Sequence, residues 1–181
     1  MGSMRWSIVM AVMITVARVA DAAEPGQLPA IHLRMDNDAN VPAAILKKSQ
    51  DQVARIFADA GLAAEWTETE PRFTVQIVPI ALGYRRASSP VMGVAVRSPN
   101  PATARIFFNE VKDFARTWDV NISTLLAYVI AHEIGHLLLP RTPHSATGLM
   151  KADWDKALVR EATAGSLTFT DAQIKRILAF R

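Results

Sequence analysis

Val129-Ile130-Ala131-His132-Glu133-Ile134-Gly135-His136-Leu137, with His144 eight residues beyond His136, gathers three of the chain's four histidines into one short window. On an α-helix, residues i and i+4 share a face, so His132 and His136 can offer two imidazole nitrogens to one metal ion. Glu133 then stands one step round at the rim, suited to proton transfer rather than ligation. A catalytic zinc takes three protein ligands and keeps one position open, so the two helical histidines require a third group from elsewhere. His144 is the nearest candidate. The surrounding segment, Ile122 to Leu138, is nearly apolar all round, which predicts a buried helix, where unpaired His and Glu side chains would be costly. Pro140 stops it, and the turn that follows can swing His144 back toward His132 and His136.

The rest of the chain frames that helix. Its 181 residues are 50% hydrophobic, enough for one domain with a real core. Charged residues, 20% of the chain, are mixed, and the net charge of +3 comes from no basic block. Aromatics do not interleave with Lys and Arg, so nucleic-acid binding is not expected. At the N-terminus, Arg5, the apolar run Trp6 to Ala17 and the small-x-small triplet Ala20-Asp21-Ala22 stand in the order of a signal peptide. Residues 1–22 are therefore expected to be cut off near Ala23, leaving 23–181 as the mature domain. The apolar run falls short of the roughly 20 residues of a spanning helix, so no stable membrane anchor remains after processing. Export to a bacterial periplasm or exterior is the expected destination. With no cysteine, packing alone must hold the fold.

Along the mature chain, Ile31-His32-Leu33-Arg34-Met35 alternates as a half-buried strand, with His32 on its polar face. From Pro42, the residues Ile45, Ser49, Gln52, Val53, Ile56, Phe57 and Ala60 form a helical stripe that ends at Gly61. Four further strands are expected at Leu62 to Trp66, Phe73 to Ile80, Val91 to Val96 and Arg105 to Phe108, separated by Gly, Ser and Pro turn residues. Thr170-Asp171-Ala172-Gln173 has the pattern of a capping box opening a last helix with Ile174, Ile177, Leu178 and Phe180. The implied class is α+β: a mixed sheet, a packing helix, the buried histidine helix and a C-terminal helix.

The stretch Val129 to Leu137, with His144-Ser145 and Gly148-Leu149-Met150 after it, resembles the zincin metalloproteases. Within them it resembles the metzincins, above all matrixin-like bacterial members, and it is similar to exported bacterial proteins with the same histidine run. The match covers roughly Ile130 to Trp154. It implies a zincin-like fold, bound Zn2+ on His132, His136 and His144, and Glu133 as the base that activates water. It also implies that Met150 forms the hydrophobic floor beneath the metal. The chain departs from the metzincin pattern where Leu139 replaces the turn glycine and Thr142 the third histidine, so that His144 arrives two residues late. Two extra residues lengthen a loop at little entropic cost. In the gluzincin alternative a carboxylate completes the site, and Glu161, Asp153 and Asp155 stand for it.

With Zn2+ in place the expected chemistry is hydrolysis of a peptide or protein substrate, with Glu133 taking a proton from water and passing it to the leaving amine. Substrate would lie antiparallel along an edge strand, for which Val91 to Val96 is the candidate. Gly135 would let another element approach the helix closely. Tyr84, Tyr128 and Arg141 are open candidates for stabilising the oxyanion. The competing expectation is an exported, non-enzymatic zinc-binding or protein-interaction domain on the same scaffold.

Overall fold

The structure, a computed structural model, describes residues 28–81, 91–97, 101–139 and 144–179. The expected signal peptide and its cut near Ala23 lie outside the described residues, as do Tyr84 and Arg141. The elements in chain order are β1 (Ala30–Asn37), α1 (Ala43–Asp59), β2 (Ala63–Trp66), β3 (Phe73–Val78), β4 (Gly93–Val96), β5 (Ala102–Phe107), α2 (Phe108–Thr117), α3 (Ile122–Leu138), α4 (Lys156–Ala164) and α5 (Asp171–Ala179).

The five strands form one sheet in the order β2-β1-β3-β5-β4. Strands β2, β1, β3 and β5 run parallel, and β4 alone is antiparallel, paired with β5 from Gly93 opposite Ile106 to Val96 opposite Thr103. Parallel neighbours need a crossover, and α1 supplies the one between β1 and β2. Its Ser49, Val53, Ile56 and Phe57 are buried, the stripe the sequence predicts. The core lies between the sheet and the paired helices α1 and α3, where Leu33, Val53, Phe57, Val75, Ile77, Ala104 and Ile106 have no solvent exposure. His32 sits on the outer face and pairs with Glu65 on β2 at 3.4 Å, half exposed and far from any ligand role.

Some boundaries differ from the sequence reading, each for a local reason. Strand β3 stops at Val78 because Pro79 has no N–H to continue the ladder, and the Pro79 carbonyl turns to accept from Asn109 N at 3.0 Å. Strand β5 begins earlier than expected, at Ala102, and Phe108 belongs to α2 rather than to the strand. Helices α2 and α4 are short, and the sequence reading does not single them out. Each buries a small stripe, Val111, Phe114 and Ala115 in one and Leu158, Val159 and Ala162 in the other. Asp155 caps α4 by accepting from Ala157 N and Leu158 N at 3.0 Å, and Gly165 closes it in a left-handed conformation. Among the described residues no helix is long and apolar enough to cross a membrane.

Candidate metal centre

Helix α3 carries the site through the core. Asn121 caps it, its Oδ1 accepting from Ser123 N at 3.0 Å and Thr124 N at 3.3 Å. Only Ile122, Thr124 and His136 of its residues escape full burial, as expected of a helix apolar on every side. C-terminal to α3, Ser145 N donates to Met150 O at 2.9 Å, Lys151 N to Gly148 O at 3.0 Å and Ser145 Oγ to Thr147 O at 2.8 Å. These bonds fold segment 145–151 into a closed loop that returns toward α3.

Gly135 is where that loop meets the helix. A Cβ there would lie 2.5 Å from Met150 Sδ and 2.9 Å from Phe169 Cε1, so only glycine leaves room for them. Met150 is buried against the histidine helix. On another side of α3, a Cβ at Gly93 would lie 2.8 Å from Glu133 Cγ and 3.0 Å from its Oε1. Edge strand β4 therefore lies directly against Glu133, which is itself 6% exposed.

The three histidines converge. His136 Nε2 stands 3.1 Å from His132 Nε2 and 3.1 Å from His144 Nε2. His132 Nδ1 is 2.7 Å from the Leu149 carbonyl, which can only accept, so the imidazole proton sits on Nδ1 and the Nε2 lone pair faces the cluster. One His136 proton cannot fully serve both of its neighbours, so two ring nitrogens of the cluster are left facing each other without a proton between them. A cation resolves that conflict. Tetrahedral zinc, with bonds of ~2.0–2.1 Å to nitrogen, separates its ligand nitrogens by about 3.3 Å, close to the two spacings around His136, and the three ligand atoms all lie within 4.8 Å of one another. The donor set fits Zn2+.

Electrostatics agree with this fit. Burial pushes the His132 imidazole down to about 3, although its bond to Leu149 acts the other way. Burial, with the neighbouring His144 and Arg97, brings His136 down to about 4. Both rings are neutral at pH 7, the state in which imidazole ligates. His132 is buried, His136 half-buried and His144 the most open of the three.

Among the described residues no carboxylate joins the three rings. Asp155 is engaged as the α4 cap and with Lys151 Nζ at 2.5 Å. Tyr128 is wholly buried on the α1 side of the helix, toward Gln52 and Asp59. The expected edge strand is found, shortened to Gly93–Val96. Sequence reading missed Arg97, whose guanidinium donates to the His136 carbonyl. It also missed the Leu149 carbonyl and the contact of Gly93 with Glu133. Nothing local in the sequence signals these three, because each joins segments far apart in the chain.

In overall shape the chain is similar to a zinc-dependent peptidase from Methanocorpusculum labreanum. The TM-score is 0.52 with 14% identity, over 81% of this chain and 99% of that one. It is also similar to archaemetzincin from Methanopyrus kandleri, at TM-score 0.51 and 15% identity, over 83% of this chain and 95% of that one. The fold is zincin-like. No family model matches the chain, and no curated protein matches it in sequence.

Proposed function

We propose that this zincin-like chain is a zinc-dependent metalloendopeptidase whose ligands are His132, His136 and His144 and whose general base is Glu133. The observation that carries the reading is the meeting of three imidazoles beside the buried Glu133 of α3, the helix that carries two of them. The peptidase neighbours support it. When bound, the ion supplies Lewis-acid polarisation of a carbonyl and acidification of a water. Glu133, pressed against β4 and screened from bulk solvent, holds its carboxylate ready to take the water's proton and return it to the leaving nitrogen. Among the described residues no strand pairs with the outer edge of β4, along which an extended peptide can add antiparallel. Among zincins we place the chain with matrixin-like members, on Ser145 directly after the third histidine and on Met150 packed against Gly135.

Separating the ligands from the base tests this. His144→Ala should lose most of the bound zinc, measured by metal analysis, while Glu161→Ala keeps it. Glu133→Gln should keep its zinc while hydrolysis of a broad peptide library falls by roughly 10²–10⁴-fold. If the zinc-loaded native chain cleaves nothing, the reading passes to a zinc-stabilised interaction domain. We further propose export with removal of residues 1–22. N-terminal sequencing of protein recovered from the periplasm or medium should begin near Ala23, and a membrane-bound chain retaining Met4 to Ala17 would refute it.

A further inference from the structure

Helix α3 ends in a way that needs an outside donor. The His136 carbonyl would ordinarily accept from the N–H four residues on, but that residue is Pro140, which has none. The Arg97 guanidinium fills the gap, reaching from the end of β4 to the backbone of a cluster histidine. This bond holds a cation beside His136, one of the three imidazoles. A guanidinium has five N–H donors, and the carbonyl does not use them all. Arg97 is exposed, and among the described residues no carboxylate pairs with it. Arg34 and Arg116, by contrast, each bond an acidic neighbour.

We propose that Arg97 selects substrates bearing an acidic side chain on the amino-terminal side of the cleaved bond. The inference rests on the peptidase reading and on antiparallel binding along β4. A peptide antiparallel to β4 brings its amino-terminal half to the strand's carboxyl end, where Arg97 follows Val96. A planar fork already fixed at one point loses little freedom on clasping a carboxylate. Lysine would serve less well.

The test uses two matched peptide sets, differing only in Glu or Lys at each of the residues preceding the bond. The native chain should favour Glu at one of these positions by roughly three- to tenfold in kcat/KM, and less at high salt. Arg97→Ala should erase the preference, Arg97→Glu should reverse it, and Arg97→Lys should keep part of it. Zinc content and melting temperature of each variant report whether the helix end is intact. The same peptides are also titrated against zinc-loaded Glu133→Gln, with and without Arg97→Ala, so that binding is read without turnover. An acidic preference in binding that Arg97→Ala removes supports the proposal even if the native chain hydrolyses nothing, an outcome that would sink only the peptidase reading. Equal binding of acidic and basic peptides, or a preference that survives Arg97→Ala, overturns it.

Discussion

Gly135 stands between two opposed effects. An alanine is a better helix former than glycine by about 1 kcal/mol, so on an exposed helix Gly135→Ala would stabilise. Here the new methyl meets Met150 Sδ at 2.5 Å and the Phe169 ring at 2.9 Å, and both side chains are almost wholly buried. Overpacking of this kind costs about 1–3 kcal/mol, which exceeds the propensity gain. Gly135→Ala should therefore lower the melting temperature, and the loss should shrink in a Met150→Ala background where the sulfur is gone. An unchanged or raised melting temperature in the single variant would mean that Met150 moves aside freely and is not a fixed floor.

Among the elements, the C-terminal helix α5 is tied to the third histidine through one side chain. Gln173 is 5% exposed and closes the capping box: its Oε1 accepts from Thr170 N at 2.9 Å, and its own N donates to Thr170 Oγ1 at 3.4 Å. Its Nε2 then donates to Ser145 Oγ at 3.1 Å, next to His144. Gln173→Leu leaves Thr170 N–H without that acceptor and frees the loop at Ser145, a change expected to cost about 1–3 kcal/mol. Zinc affinity should fall as well, toward the 10–100-fold typical of lost support around a ligand. Zinc titration with a competing chelator reads this. A variant that is less stable yet binds zinc as tightly would confine Gln173 to capping.

The capping box itself was readable from Thr170 and Gln173, and so was α3, whose apolar residues on every side and terminal Pro140 leave few alternatives. Both histidine positions on α3 follow from helical periodicity, strand β4 from its flanking turn residues, and its place at the edge from its shortness and Gly93. The bond from Gln173 to Ser145 was not readable. It joins positions 28 residues apart in the chain, and no periodicity encodes such a meeting. The Leu149 carbonyl that orients His132 is a backbone group, which the side-chain pattern cannot mark.

At the scale of the whole molecule, the neutral imidazoles link the fold to pH. In the unfolded chain histidine titrates near ~6.5, whereas in the folded, metal-free chain His132 and His136 lie near 3 and 4. Between those values the unfolded chain binds protons that the folded chain refuses, so stability must fall as the pH drops below about 6.5. The slope is bounded by about 1.4 kcal/mol per pH unit for each ring, and the loss from His136 is complete near its folded value while that from His132 continues lower. Chelator-treated protein should therefore unfold at progressively lower urea concentration from pH 7 to pH 5, a window in which ordinary carboxylates stay ionised. Bound zinc competes with protons for the same nitrogens and adds binding free energy to the folded state alone. The zinc-loaded chain should hold its urea midpoint further into acid than the chelated one. A flat profile for the chelated protein between pH 7 and pH 5 would show that these rings are solvated in solution, and the converging cluster would then lose its claim to be a preformed metal site.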